Sequence, residues 1–346
     1  MVKVDRLPSG NYRARVHTGN GKYKSITGKD KKDVQLRAAQ YEAEIEIANN
    51  NGASAMTLND AIDGYISQKQ NVLSPSTVRG YRAVQRNATP ELMKMKLRDI
   101  DAEAVQRAIN DFASDHSPKY VRNAYGLITA ALSTYKPELR LKTTLPQKKK
   151  VEIEIPTEED MQKLFEYAKD TDMEIPIRLG ACCGMRRSEI LGLKWSDINL
   201  EAGTISINEA LVLDEHGTAV SKGTKSIAGT RVIRMYPFVK TLLERAPHDG
   251  KYVVTLTGTQ ITKRFAKMLK DCDIEHYTFH ALRHYLVSVM LSLNIPKSYI
   301  ADYVGHETEH MIDTVYSHIM ARKKTNVEDI LQEYFTQSVT KSVMNF

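Results

Sequence analysis

The sequence predicts a multidomain α+β protein with three parts: a small N-terminal β-sheet plus one helix, an all-helical unit, and a mixed, mainly α-helical domain that contains a small antiparallel sheet. Three observations predict this fold class. Polar and apolar side chains alternate over residues 11–17, helix-start signals recur between residues 57 and 118, and helical and strand patterns alternate after residue 151. A length of 346 residues fits two or three domains. The predicted domains are residues 1–53, 56–145 and 151–346.

The composition fits a soluble globular protein, with 42% hydrophobic and 26% charged residues. The N-terminus has no apolar signal core and no apolar run resembles a membrane span, so we expect a cytoplasmic protein without a membrane partner. A net charge of +7 modestly favours a polyanionic partner. Cys182, Cys183 and Cys272 show no metal-ligand spacing, so we expect neither a metal site nor a disulfide framework.

The N-terminal part predicts a sheet with one cationic face. Arg13 and Arg15 alternate with apolar side chains in the first strand, and a second strand adds Lys22 and Lys24. A helix over residues 31–47 would back this sheet. Because a small β-ribbon can enter the major groove of DNA, these four cations are predicted to bind DNA. The alternative is a charged face that only interacts with solvent.

Each helix predicted in the helical part begins at a recognisable N-cap residue. The predicted caps are Thr57, Ser74 before Pro75, Asp101, and Ser117 before Pro118. Arg79, Arg82 and Arg86 form a basic stripe on the second of these helices, which predicts phosphate contact, although charged helix faces are often only solvated. Residues 139–150 are predicted to form an extended basic tether.

Two stretches of the third part could bind an anion, and the first surrounds Arg186. Gly184 ends one helix and another begins at about Arg186 or Arg187, which places a guanidinium near free backbone N–H groups. Glu189 lies one turn further on and could orient that guanidinium. The alternative interpretation is a surface arginine in an ordinary i, i+3 ion pair.

The second stretch is a helix predicted to be capped by Thr278. His280, Arg283 and His284 take positions i, i+3 and i+4, which share one helix face, and apolar side chains take another. Such a helix would pack on a core and present its polar donors to an anion. The alternative is an amphipathic helix with solvated histidines.

The segment between these stretches predicts one small antiparallel sheet from residues 204–207, 210–213 and 230–235. Residues 221–226 are predicted to form a flexible basic turn. This turn superficially resembles a phosphate-binding loop, but its glycine-to-lysine spacing does not match, so no nucleotide cofactor is expected.

These motifs resemble those of the tyrosine recombinase family, which includes phage and conjugative-transposon integrases. The matching positions are Arg186 in Gly-Met-Arg-Arg-Ser-Glu, Lys225 in Thr-Lys-Ser, His280 and Arg283 in His-Ala-Leu-Arg-His, His306 in Val-Gly-His, and Tyr316 in Val-Tyr-Ser-His. The N-terminal sheet is similar to that family's arm-site DNA-binding domain and the helical part to its core-site DNA-binding domain. The third part would then be the catalytic domain.

The resemblance implies a site-specific recombinase that needs no cofactor and forms a covalent 3′-phosphotyrosyl intermediate. Tyr316 would be the nucleophile, and Arg186 and Arg283 would clamp the non-bridging phosphate oxygens. His306 would donate a further hydrogen bond. Lys225 would protonate the leaving 5′-oxygen, and Lys222 is the alternative for this role. His280 would assist proton transfer, while Glu189 and His284 would support these groups.

The implied partner is double-stranded DNA with core and arm sites, bound by a homotetramer in the nucleoid. A host DNA-bending protein and an excisionase are candidate further partners. Two other functions remain open at this point. A type IB topoisomerase would use the same chemistry without synapsis, and a non-catalytic DNA-binding protein would not need Tyr316.

Overall fold

The computed structural model describes residues 3–19, 22–51, 56–148, 153–223, 230–305, 309 and 312–313. The chain divides into two units, Met1–Lys149 and Lys150–Phe346. Within the first unit, the N-terminal sheet and the following helices have separate hydrophobic cores. None of the helices that the structure describes has both the length and the apolar character to cross a membrane.

The N-terminal sheet has three antiparallel strands and one helix. They are β1 (Val4–Arg6), β2 (Tyr12–Gly19), β3 (Lys22–Gly28) and α1 (Lys31–Asn51). Ala14 and Val16 are buried in one core with Val34 and Ala38 of α1, as the alternation in β2 predicts. β1 was not predicted, because three residues are too few to show a period.

The helical part of the first unit follows. Its helices are α2 (Leu58–Lys69), α3 (Pro75–Asn87), α4 (Pro90–Lys94), α5 (Ala102–Ala113) and α6 (Pro118–Tyr135). The side chains of Thr57, Ser74, Asp101 and Ser117 each accept a hydrogen bond from a backbone N–H of the first turn. These bonds confirm the four predicted helix starts, and each stabilises its helix by about 1 kcal/mol. The short helix α4 was not predicted.

The segment after α6 packs on the helices, which corrects the predicted tether. Gln106 binds Thr144 twice: Nε2 donates to the Thr144 carbonyl at 3.1 Å, and the Thr144 N–H donates to Oε1 at 2.7 Å. Nε and Nη2 of Arg122 donate to the Pro146 carbonyl at 3.1 and 2.8 Å. Leu145 packs against the same helical core. The segment is held because its backbone finds side-chain partners on α5 and α6.

In the described residues of the second unit, helices predominate and five short strands are present. Its helices are α7 (Glu158–Ala168), α8 (Glu174–Cys183), α9 (Arg187–Gly192), α10 (Pro237–Arg245), α11 (Gly258–Asp271), α12 (Ala281–Ser292) and α13 (Lys297–Val304). Its strands are β4 (Ile198–Asn199), β5 (Thr204–Ile207), β6 (Glu209–Leu213), β7 (Ala219–Gly223) and β8 (Arg231–Arg234). α8 packs on α12, and a Cβ on Gly180 would lie 3.2 Å from Cδ1 of Leu282.

The strand pairing differs from the predicted single sheet. β4, β5 and β8 form one antiparallel sheet in that order, whereas β6 and β7 form a separate hairpin. Only Asn208 separates β5 from β6, and one residue is too short for a hairpin connection, so β6 has to pair elsewhere. Residues 221–223, predicted as part of a turn, belong to β7, the second strand of that hairpin.

The start of α12 also differs from the prediction, because Thr278 does not cap the helix. The N–H of Ala281 donates to the Thr278 carbonyl at 2.8 Å in a turn, and α12 begins at Ala281. His280 already has helical backbone angles, with φ −69° and ψ −20°. Its carbonyl accepts from the N–H groups of Arg283 and His284, so the predicted spacing of these three side chains is retained.

Candidate active site

A tight turn between α8 and α9 positions Arg186. Gly184 ends α8 with φ 63° and ψ 22°, a left-handed conformation that suits glycine. Arg186 follows at the N-cap position of α9, and its backbone N–H donates to Oε2 of Glu189 at 2.9 Å. The Arg186 side chain is 35% exposed. The turn therefore fixes the backbone of Arg186 and leaves its guanidinium accessible.

Glu189 is a buried carboxylate between two arginines. Nη1 of Arg186 donates to its Oε1 at 2.6 Å, and Nη2 of Arg231 donates to its Oε2 at 2.9 Å. The side chains of Glu189 and Arg231 are only 4% and 6% exposed. Burial alone would raise the pKa of Glu189, but the hydrogen bond and charge of Arg231 and the charge of Arg186 outweigh it and lower this pKa. The carboxylate is therefore ionised at neutral pH and orients Arg186.

Arg283 packs beneath the same turn. Its side chain is only 1% exposed, and its Nη1 donates to the Gly184 carbonyl at 2.7 Å. Arg283 is thus packed inside the protein, because this side of α12 faces α8 and the turn. A buried arginine needs hydrogen-bond partners, and the Gly184 carbonyl is one of them. Arg186 and Arg283 thus meet at one turn, although about a hundred residues separate them in the sequence.

The two histidines of α12 lie edge to face, with ring centroids 4.7 Å apart. The loss of solvation caused by partial burial, together with the charges of Arg283 and Arg186, lowers the pKa of His280 to about 4, although part of this residue remains exposed. Burial, with His280 and Arg283 nearby, lowers the pKa of His284 to about 4. Both imidazoles are therefore neutral at pH 7, and each can accept one hydrogen bond or proton.

These histidines are expected to make the protein less stable in mild acid. The unfolded chain takes up protons at histidine below about pH 6.5, whereas folded His280 and His284 resist protonation down to about pH 4. Their contribution is complete above about pH 6.5, and the free energy of unfolding falls as the pH decreases toward about 4. Thermal unfolding between about pH 5 and about pH 7 should show this slope.

The matched variants for this pH measurement are His284→Gln and His276→Gln. His284→Gln should flatten the slope, whereas His276→Gln, a change at an exposed histidine, should leave it as in the wild type. Equal slopes in all three proteins would contradict the assignment of the pH dependence to α12.

Replacing Glu189 by glutamine is expected to destabilise the fold by about 3–5 kcal/mol, because it leaves two arginines without their shared carboxylate at a buried position. Chemical denaturation of the variant should show this loss. Glu166→Gln, the same change at an exposed position of α7, is the control and should be neutral. A Glu189→Gln variant as stable as this control would show that the ion cluster of Arg186, Glu189 and Arg231 is not needed for folding.

The chain leaves α13 next to Arg186. Gly305 ends this helix with φ 67° and ψ 52°, and Nη2 of Arg186 donates to its carbonyl at 2.7 Å. His306 is the next residue in the sequence, so the backbone directly before it is tied to Arg186. Outside the described residues lie Lys225, His306, Tyr316 and the side chain of Lys22.

Lys222, the alternative to Lys225, lies on β7 opposite Ala210. The hairpin that carries it packs on α9, the helix that starts after Arg186. Hence the strand leading to Lys225 is anchored next to Arg186. Among the residues that the structure describes, no group of three or more His, Cys, Asp or Glu side chains could hold a metal ion.

The DNA-binding candidates of the N-terminal sheet lie on two different faces. Arg15 is exposed and Arg13 half-buried, and both alternate with the side chains that pack on α1. Lys24 pairs with Val16 and lies on the helix side, where its Nζ is 4.0 Å from the ring centroid of Tyr41. Lys24 therefore does not extend the cationic face that the sequence predicts.

The basic stripe on α3 is shorter than predicted. Arg79 and Arg86 are exposed, but Arg82 forms an ion pair with Asp63 of α2 and donates to Oε1 of Gln85 at 3.0 Å. Its side chain is 22% exposed. The structure thus gives Arg82 a role in holding α3 to α2, and the accessible stripe consists of Arg79 and Arg86.

Arg231 belongs to the ion cluster but was missed in the sequence analysis. The alternation along β8 could have indicated that Arg231 is buried. Arg231 shares the inward face of this strand with Ile233, whereas Val232 and Arg234 point outward. An arginine in the inward register of a strand needs a buried acceptor. The sequence alone does not show that this acceptor is Glu189.

Comparison with known proteins identifies the family. Residues 155–323 match the model of the phage integrase family, and residues 57–113 match the model of the phage integrase N-terminal SAM-like domain. The chain therefore contains a phage integrase family domain and the SAM-like N-terminal domain of phage integrases, which confirms the resemblance, and the solved structures below confirm the fold class. The first match includes the positions of His306 and Tyr316.

Two curated relatives extend over much of the chain. A protein named "Tyrosine recombinase XerC-like" from Caldanaerobacter subterraneus subsp. tengcongensis is 24% identical, and the match covers 94% of this chain and 96% of that protein. The protein named "Integrase" of Staphylococcus phage L54a is also 24% identical, covering 72% of this chain and 83% of the phage protein.

Solved structures show the same fold. The Tn1549 transposon integrase in complex with transposon right end DNA superposes with a TM-score of 0.62 at 16% identity, covering 78% of this chain and 99% of that chain. A lambda integrase tetramer bound to a Holliday junction gives a TM-score of 0.57 at 18% identity, covering 88% of this chain and 96% of that chain.

Proposed function

We propose that this chain is a site-specific DNA recombinase that cleaves and rejoins DNA strands through a covalent 3′-phosphotyrosyl intermediate and integrates or excises a mobile element. The main support is the meeting of three distant segments at one turn. Arg186 donates to the carbonyl of Gly305, directly before His306, and Arg283 donates to the carbonyl of Gly184 in the turn that carries Arg186.

The two arginines are suited to stabilise the transition state of phosphodiester cleavage. Charge grows on the non-bridging oxygens as the nucleophile enters, and fixed guanidinium groups stabilise that state more than the ground state. Each guanidinium has five N–H donors, so it can keep its protein acceptors and still donate to such oxygens. Glu189 limits the movement of Arg186 before DNA binds, so less ordering is needed during the reaction. His306 would donate to the same oxygens.

The proposed nucleophile is Tyr316. A phenol in water has a pKa of about 10, so its hydroxyl must lose a proton during attack. His280 would assist this proton transfer, because its imidazole is neutral at pH 7 and can accept a hydrogen bond, although its lowered pKa makes it a weaker base than an ordinary histidine. Lys225 would protonate the leaving 5′-oxygen, with Lys222 as the alternative. His284 packs on His280 and would keep its ring in place.

We further propose three functional domains with different DNA contacts. Residues 1–53 would bind arm sites through Arg13 and Arg15, residues 56–145 would bind the core site through Arg79 and Arg86, and residues 151–346 would perform catalysis. The solved structures with this fold include integrases bound to DNA and a tetramer on a Holliday junction. By analogy this chain would act as a DNA-bound tetramer in the nucleoid, with an excisionase and a host bending protein as candidate partners.

Trapping the covalent intermediate tests the proposal. A core site is first selected by binding of the protein to random duplex DNA. The selected duplex is then nicked near the cleavage point, so that the fragment released by cleavage dissociates and rejoining fails. A labelled protein–DNA adduct should survive a denaturing gel. If the wild-type protein binds the selected site but yields no adduct with the nick at any position, the enzymatic function is wrong.

A further inference from the structure

Arg231 has no role in the chemistry proposed above, yet it is the second cation on the carboxylate that orients Arg186. Its Nη2 donates to Oε2 of Glu189 at 2.9 Å, and its Nη1 donates to Oε1 at 3.3 Å. Oε1 also accepts from Nη1 of Arg186 at 2.6 Å. The carboxylate therefore lies between two guanidinium groups, one partly exposed and one only 6% exposed.

The charge of this cluster matters for an anionic substrate. A glutamate in contact with Arg186 would cancel most of the field that this guanidinium exerts on a phosphate, because charges separated by hydrogen-bond distance act as a dipole. A second guanidinium on the same carboxylate restores a net charge of about +1 to the cluster. Since Arg231 is buried, its charge is screened little by salt or water.

The position of Arg231 in the chain gives a second reason to connect this residue with the proposed catalytic groups. Arg231 opens β8, and its partner in the sheet is Ile207 of β5. The segment that carries Lys225 directly precedes this strand. The ion pair with Glu189 therefore ties the end of that segment to α9, next to Arg186.

We propose that Arg231 is a positioning residue for strand cleavage: by neutralising Glu189, it allows this carboxylate to aim Arg186 without cancelling the charge that Arg186 offers to the DNA phosphate. The proposal rests on the recombinase function above and concerns the rate of the chemical step rather than DNA affinity. It predicts that the negative charge of Glu189 slows the chemical step when Arg231 is removed.

The test is single-turnover adduct formation on the nicked core site at saturating DNA. Arg231→Met should slow the step by about 10²-fold, toward the loss expected when one charged donor is removed, with DNA affinity changed less than about threefold. Arg234→Met is the matched control, because Arg234 is an exposed arginine on the same strand. This control should cleave at the wild-type rate.

The double variant Glu189→Gln/Arg231→Met separates a charge effect from a packing effect. Removing the carboxylate together with its counter-ion should restore the rate to within about tenfold of wild type, although the double variant has lost more native groups. A purely structural role for Arg231 makes the double variant as slow as Arg231→Met or slower, and this result would overturn the proposal.

Two further variants cover the case in which Arg231→Met does not fold. Arg231→Gln keeps a hydrogen-bond donor without charge, whereas Arg231→Lys keeps the charge without the guanidinium fork. We expect the lysine variant to cleave at least about tenfold faster than the glutamine variant. Equal rates would contradict a role for the charge. Wild-type protein that forms no adduct refutes the recombinase function instead, so the two failures are distinguishable.

Discussion

Replacing Tyr316 by phenylalanine is expected to abolish the covalent DNA adduct while DNA binding stays as in the wild type. The change removes only the hydroxyl oxygen that would attack phosphorus, and a phenyl ring has no oxygen with which to form the phosphate ester. Adduct formation on a denaturing gel and binding in a native gel, measured on the same nicked duplex, provide the comparison.

The matched control for this experiment is Tyr299→Phe. Tyr299 is 69% exposed on α13, so the same chemical change there should leave adduct formation intact. An adduct formed by the Tyr316→Phe protein would place the nucleophile elsewhere. Unchanged recombination in cells by that protein would favour the non-catalytic DNA-binding alternative.

Arg283→Lys is expected to slow adduct formation by about 10²–10³-fold at saturating DNA, the loss typical of removing one transition-state donor. Lysine keeps the positive charge but offers a point charge in place of a planar fork. It also cannot reproduce both the bond to the Gly184 carbonyl at 2.7 Å and a bond toward the phosphate. Single-turnover rates and thermal unfolding should be measured together, so that a loss of folded protein is not mistaken for slower chemistry.

Arg187→Lys is the control for that substitution. Arg187 follows Arg186 directly, but it is exposed, and its Nη1 donates to the carbonyl of Gly258 at 3.3 Å on the side of α11. Its lysine variant should cleave within about threefold of wild type. Equal losses in both variants would show that any arginine near the turn has the same effect, which would contradict a specific clamp by Arg283.

Local sequence signals predicted helix starts well. A Ser, Thr or Asp side chain accepts a hydrogen bond from its own first turn, so the cap depends on residues within three positions of each other, as at Ser117. Thr278 broke this rule, because the chain at His280 was already helical and the threonine carbonyl was used in a turn. Such competition between two local conformations depends on what packs around them.

Strand pairing and burial were less predictable. The strand near residue 210 was recognised, but its partner was not, since pairing depends on how far the chain must travel before it can turn back. Lys24 and Arg82 were predicted to face DNA from their spacing alone. One lies over Tyr41 and the other is paired with Asp63, contacts made with elements elsewhere in the sequence.

Motif spacing and helix caps are properties of neighbouring residues, so the sequence was sufficient to predict the family resemblance, four helix starts and the residues that could carry the chemistry. The burial of Arg283 under the turn that carries Arg186, and the binding of Glu189 to Arg231 as well as to Arg186, became visible only in the folded chain. A buried charge is stable only when it has a hydrogen-bonding or oppositely charged partner, and that partner can be far away in the sequence.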